Sequence, residues 1–390
     1  MVELTLLALV WLGLSLRLVL VLAQRAQLRS KPPAAPAVWP GVSVLKPVKG
    51  LDPDLEENLC SVFRQDYPRF EVIIGARDAS DPALAVARRV AAEFPHIPSR
   101  VVADSREVGP NPKVANLANM LPYASHPVLL VSDSNVRLHP QTLRDMVAYL
   151  EQPGVGLVSS PIRGTGAKSW GGRSDALLLN TFVMGGTAAM HRLFSGVCVV
   201  GKSMMLRQST LEELGGFPFL AEFLAEDQVC GQEVAARGLG VVLASVPVHN
   251  VTGGASLGQV AGRYRRWAMI RRRMAPWGFC GEPLLFPLAL ASFALAFSPG
   301  ALTAGVWIAA FFAQLLLSAW ALRLVEEKEP WLRLAGLVLV AEHLAVVTWA
   351  WAWLARTVSW RGKSFSLGPR THLALQAGSL ARVAPSLGQA

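Results

Sequence analysis

Apolar and polar positions change their rhythm several times along this chain. Residues 4–23 are apolar apart from Arg17, close to the ~20 residues that cross a bilayer, and Arg25, Arg29 and Lys31 follow. A membrane anchor over 1–24 is expected, with its basic side cytoplasmic. A cleaved leader fits less well, because no positive segment precedes the stretch and no short cleavage site follows it. Pro32, Pro33 and Pro36 then make 25–41 a stiff linker.

From residue 42 the pattern alternates. Short apolar runs at 42–45, 72–75, 101–102 and 128–131 read as strands, and the periodicity over 55–63 and 84–94 reads as helix. This alternation predicts an α/β domain with a mostly parallel, buried sheet over 42–276. Asp52-Pro53 and Asp81-Pro82 read as helix starts, aspartate capping and proline opening the first turn. Residues 155–249 are less regular, with strands expected at 197–200 and 241–244 and an amphipathic stretch at 226–237, and they form the second half of the same domain. Apolar stretches at 284–297, 301–322 and 334–355 predict a C-terminal membrane region over 277–360, followed by a tail over 361–390. The last two are long enough to span, whereas the first is short and holds Pro287. Arg323, Lys328 and Arg333 precede the last stretch and Arg356, Lys363 and Arg370 follow it, so both groups cannot be cytoplasmic if that stretch crosses once.

Composition adds two limits. At 52% hydrophobic over 390 residues the chain is too apolar for an ordinary soluble protein, and its formal charge of +10 does not call for nucleic acid. Arg263, Arg265, Arg266, Arg271, Arg272 and Arg273 crowd just before the second apolar region, a place that suits lipid headgroups and phosphates. Cys60, Cys198, Cys230 and Cys280 are scattered, with neither metal-ligand spacing nor a disulfide framework.

Ligands of a parallel α/β sheet bind beyond the carboxyl ends of its strands. Asp78 and Asp133 each follow an apolar strand, and both would emerge on that edge. A hard cation takes one or two protein carboxylates and completes its shell with diphosphate oxygens and water, which suits Asp133; loop aspartates are also common turn residues. Glu226-Asp227 opens the amphipathic stretch, either complementing a helix dipole or supplying a general base. Arg263-Tyr264-Arg265-Arg266-Trp267 joins guanidinium groups that can clamp a diphosphate to an aromatic face for a sugar or lipid, or forms an interfacial helix. Lys113, in Asn111-Pro112-Lys113, is a further diphosphate contact or a solvated lysine.

In order, Asp78, Asp133, Asp227 and Arg263-x-x-Arg266-Trp267 resemble the D, D, D, (Q/R)xxRW signature of family 2-like glycosyltransferases. The stretches Val42-Ser43-Val44-Leu45-Lys46-Pro47-Val48-Lys49-Gly50, Gln65-Asp66-Tyr67-Pro68, Asn111-Pro112-Lys113-Val114-Ala115-Asn116-Leu117 and Ala225-Glu226-Asp227 resemble, more narrowly, the ceramide glucosyltransferases of family 21, over about residues 42–276. The resemblance implies a GT-A fold and an inverting transfer of glucose from UDP-glucose to the primary hydroxyl of ceramide. It implies Asp227 as catalytic base and Asp78, Lys113, Asp133 and Arg266 at the donor. Asp133 would bind Mg²⁺ or Mn²⁺, and Trp267, Glu226 and His191 would line the acceptor. Ser134-Asn135 follows Asp133 in place of a complete DxD. The expected setting is a bacterial inner membrane with the catalytic domain on the cytoplasmic face and no nucleic-acid partner. A hopanoid-directed N-acetylglucosaminyltransferase is the alternative acceptor reading, and a non-catalytic nucleotide-binding membrane protein, with Glu342 and His343 as its intramembrane polar residues, the alternative class.

Overall fold

The computed structural model describes residues 2–360 and 363–375. Strands β1 (Val42–Pro47), β2 (Phe70–Ala76), β3 (Ser99–Ala103) and β4 (Val128–Ser132) lie parallel, and β8 (Ser203–Arg207), β6 (Val155–Ser159) and β9 (Gly240–Leu243) extend the sheet in the order β3-β2-β1-β4-β8-β6-β9. Only β8 runs against its neighbours β4 and β6. The apolar runs are unbroken because both faces are covered: Val44, Val72 and Leu130 pack into one core layer, while Leu45, Ile73 and Leu129 pack into the other. Each such fully buried aliphatic contributes about 1.5–3 kcal/mol.

Helices α2 (Leu55–Phe63), α3 (Pro82–Glu93), α4 (Pro112–Met120) and α5 (Thr142–Leu150) connect the first strands. Asp81 caps α3 as expected, accepting from the Ala83 amide. Asp52 does not start a helix: α2 begins at Leu55, and Asp52 accepts the Ser134 hydroxyl instead. A small sheet, β5 (Val136–Arg137), β10 (Val248–Val251) and β7 (Ile162–Thr165), leads to α6 (Trp170–Leu178) and α7 (Met184–Leu193). The strand expected at 197–200 is irregular, because the Gln228 side chain, rather than a neighbouring strand, holds it: Gln228 accepts the Val199 amide at 2.9 Å and donates to the Val197 carbonyl at 2.8 Å. After β8 come α8 (Gln208–Glu213), α9 (Gly216–Leu220) and α10 (Glu226–Ala236), and a Ser256–Gln259 capping box opens α11 (Leu257–Met274).

Among the described residues, three helices are long and apolar enough to cross a membrane: α1 over Glu3–Leu28, α14 over Ala301–Leu324 and α15 over Trp331–Leu354. The first C-terminal apolar stretch is a pair bent by 73°, Pro276–Leu285, which contains α12 (Pro276–Gly281), and α13 (Pro287–Phe297). Helix α1 packs Leu7, Val10 and Leu14 against Ala291 and Ala294 of α13 and Ala310 of α14. Glu342 is buried there, accepting from Gln314 and the Leu288 amide. His343 contacts the Leu339 carbonyl and Ser292, so Glu342 and His343 both have partners inside the helix bundle. Strands β11 (Thr357–Trp360), β12 (Lys363–Leu367) and β13 (Leu373–Leu375) close the described chain, and the rest of the tail expected over 361–390 lies outside the described residues.

Candidate active site

At the carboxyl edge of the sheet the chain gathers a half-buried cluster of opposite charges. Asn111 caps α4, its side-chain oxygen accepting the Lys113 and Val114 amides at 3.0 and 3.1 Å while its Nδ2 donates to Glu226 at 3.2 Å and the Phe223 carbonyl at 2.8 Å. With Pro112 in the first turn, this geometry aims Lys113 inward. The Lys113 Nζ lies 2.8 Å from Asp133, 3.0 Å from Glu226 and 3.2 Å from the Gly201 carbonyl. The second oxygen of Asp133 meets Lys202 at 3.0 Å, and Lys202 also donates to Asn135 at 2.9 Å. Behind them Lys46 is fully buried, donating to Ser132 and the Val136 carbonyl.

Burial alone would raise the Asp133 carboxyl, but the two ammonium groups outweigh it and hold the carboxyl well below the usual range. Lys113 likewise loses hydration, yet Asp133 and Glu226 keep its ammonium well above the ordinary lysine value. Burial pulls Lys46, which has no carboxylate in contact, down to about 7. Asp227 shows the reverse balance: burial and its neighbour Glu226 push it up to about 6, against Lys113 and two amide bonds. Those amides are Gly201 at 2.5 Å and Gln228 at 2.8 Å. Glycine is needed at 201, since a Cβ there would sit 2.7 Å from the Asp227 carboxylate oxygen.

The structure therefore brings Lys113, Asp133, Glu226 and Asp227 together and adds Lys202. It does not do so for every expected residue. Asp78 is exposed at the end of β2, and its carboxylate accepts the amide and hydroxyl of Ser80 in its own turn. Arg263 points at Asp175, fully buried on α6, in an ion pair that fixes α11 to the domain. Trp267 stacks edge-on with Tyr264 at 5.2 Å and packs into the helical layer of Leu177, Phe182 and Phe286. Arg266 is half-buried on the same helix. Burial lowers the His191 pKa, and its ring Nε2 donates to the Cys198 carbonyl at 2.8 Å. It lines a 480 Å³ cleft with Gln27, Arg192 and Val241.

As a metal ligand Asp133 departs from expectation. Both its oxygens are on ammonium groups, Lys113 at 2.8 Å and Lys202 at 3.0 Å, so a divalent cation would meet two positive charges there.

The sequence profile of glycosyl transferase family 21 matches residues 4–373. Ceramide glucosyltransferase 3 of Caenorhabditis elegans is 28% identical over 254 residues, 64% of this chain and 55% of that protein. Ceramide glucosyltransferase of Komagataella phaffii is 40% identical over 117 residues, 29% of this chain and 23% of that protein. The chain thus spans about half the length, or less, of these curated relatives. Among solved structures, the mannosyltransferase PcManGT from Pyrobaculum calidifontis, in complex with GDP-Man and Mn²⁺, aligns at a TM-score of 0.50 and 21% identity, over 90% of this chain and 99% of that one. The likeness is one of fold, and the α/β domain is of the GT-A type.

Proposed function

The chain belongs to glycosyl transferase family 21, and on that premise we propose that it transfers glucose from UDP-glucose to the primary hydroxyl of ceramide at a membrane surface. The observation that carries this reading is the convergence of Glu226-Asp227 with Asp133 and its two lysines at the carboxyl edge of a GT-A sheet, where burial and Glu226 push the Asp227 carboxyl up to about 6. A base with that affinity is ionised at neutral pH and still holds a proton well enough to take one from an alcohol. In the reaction, the ceramide oxygen attacks the anomeric carbon as its proton passes to Asp227. The bond from that carbon to the diphosphate breaks, and UDP leaves with the electron pair, giving an inverted, β-linked product.

The departing charge is met by Lys113, Lys202 and Arg266, which supply the electrostatic stabilisation such a step needs. Asp78 contacts the uridine, and Asp133 positions the lysine pair. Glu226 tunes Asp227, and Trp267 borders the acceptor. The neighbour's Mn²⁺ supports a divalent cation for this fold in general. The residues here do not fit one as they stand, so the charge assignment rests on the lysines. The catalytic domain belongs on the cytoplasmic face. The ceramide glucosyltransferases named above give the hopanoid alternative no support, and the built carboxylate–lysine cluster speaks against a non-catalytic role.

The test incubates the detergent-solubilised protein with ceramide or a hopanoid polyol, each with labelled UDP-glucose or UDP-N-acetylglucosamine. Glucosylceramide alone is expected. Transfer only to the hopanoid would replace the acceptor, and no transfer to either would overturn the reading.

A further inference from the structure

Helix α15 has the length and composition of a membrane span, but both of its ends meet the same domain. Before it, Glu327 pairs with Arg163 of β7 at 3.2 Å and Glu329 with Arg173 of α6 at 2.6 Å. Within its first turns, Gly336 lies against the ring of Trp170, which opens α6. At its other end, Arg272 of α11 donates to the Trp353 carbonyl at 2.9 Å, and the Arg265 guanidinium sits 4.7 Å from the Trp351 ring. Beyond it, Phe365 is buried among Leu224, Ala268 and Met269. Thr371 then accepts the amides of Leu224 and Ala225, at 3.0 Å on its carbonyl and 3.1 Å on its hydroxyl, directly before Glu226.

A helix of 24 residues is about 36 Å long, enough to carry its ends to opposite faces of a bilayer. One folded domain cannot hold both ends across that distance unless the helix lies along it. Helix α15 does so beside α11, whose six arginines cannot sit in hydrocarbon. Its outward surface is apolar and tryptophan-bearing: Leu332 and Leu354 are 89% and 80% exposed, and Trp331 and Trp351 are about half exposed. Tryptophans prefer headgroup depth, so Trp331 and Trp351 place both ends of α15 at an interface.

We propose that α15 does not cross the bilayer but lies in its interface along α11, its exposed face against lipid, so that residues 357–375 return to the catalytic domain's own side. This removes the conflict in the charge pattern. Arg323, Lys328 and Arg333 share a side with Arg356, Lys363 and Arg370, as the positive-inside rule requires. Between α11 and α15 the chain leaves the domain through the bent pair 276–297 and returns through α14. The inference is independent of the sugar and the acceptor.

The test adds one cysteine at a time to the full-length chain carrying Cys198→Ser and Cys280→Ser, in which the remaining Cys60 and Cys230 are buried, and treats sealed vesicles with a membrane-impermeant maleimide. Ser105→Cys marks the domain face; Lys328→Cys and Pro369→Cys flank α15. The proposal expects all three to label equally before and after the vesicles are opened, when the domain faces outward. Pro369→Cys labelling only after opening, with Ser105→Cys labelling before, overturns it. Should Pro369→Cys fail to fold, an epitope tag after Ala390 in the otherwise unchanged chain gives the same readout: antibody access from the domain's face supports the proposal, and access only from the opposite face overturns it.

Discussion

Replacing Lys113 by methionine removes the ammonium that joins Asp133 to Glu226 while keeping an unbranched stem. Its Nζ is within 3.0 Å of both carboxylates and the side chain is only 12% exposed, so solvent screens these pairs weakly. Lys202 remains on Asp133, which leaves Glu226 as the uncompensated charge, next in the chain to Asp227. Removing one partner of a buried pair costs about 3–5 kcal/mol. At about 2–4 °C per kcal/mol for a domain of this size, the melting temperature falls by roughly 6–20 °C. The second effect is on the base. A unit charge a few ångströms away is worth about 2–4 kcal/mol at an effective dielectric near 20, and about 1.4 kcal/mol is one pH unit. Loss of Lys113 therefore raises the Asp227 carboxyl by about one unit or more. Asp227 acts only when ionised, so the parent's kcat/KM climbs with pH through about 6 and levels off above it. The variant's climb moves to higher pH. The assay is kcat/KM for labelled UDP-glucose across about pH 5 to 9, with melting followed in parallel. An acid limb that stays in place or moves down would refute the argument that Lys113 holds the carboxylate pair.

Four further outcomes follow from the same geometry. Gly201→Ala puts a Cβ 2.7 Å from the Asp227 oxygen, and kcat should fall about 100-fold from the displaced base with the fold retained; an unchanged kcat counts against Asp227. Asp78→Ala removes only a turn contact to Ser80, so stability changes by less than about 0.5 kcal/mol while the KM for UDP-glucose rises; an unaltered KM removes Asp78 from the donor site. Arg263→Met strips the partner from fully buried Asp175 and should cost about 3 kcal/mol in a denaturant titration, with the KM for donor nearly unchanged, since Arg263 positions α11. Lys202→Met frees one oxygen of Asp133, and free Mn²⁺ measured by electron paramagnetic resonance should reveal tighter binding than in the parent; equal binding would mean Lys202 does not compete with a cation.

Much of the fold could be read from the chain because its central strands are buried on both faces, which leaves unbroken apolar runs such as Val128–Ser132 between turn residues. The acidic residues after those strands were legible for the same reason. Lys202 was not: it reaches Asp133 because β8 pairs antiparallel with β4, setting Ser203 opposite Ser132, and no local pattern announces that register. Arg263 was legible as a motif member but not in its direction, since Asp175 lies 88 residues away. Hydropathy also treats α15 and α14 alike, whereas the contacts at both ends of α15 distinguish them.

On the proposed mechanism Asp227 takes the acceptor's proton beside a lysine-held donor site. The most direct measurement is single-turnover transfer from labelled UDP-glucose to ceramide by the parent and by Asp227→Asn, with UDP affinity determined on the same samples. The account predicts UDP bound within a few-fold of the parent and transfer reduced by about 10²–10⁴-fold. Transfer at the parent's rate by a variant that binds UDP normally would contradict it.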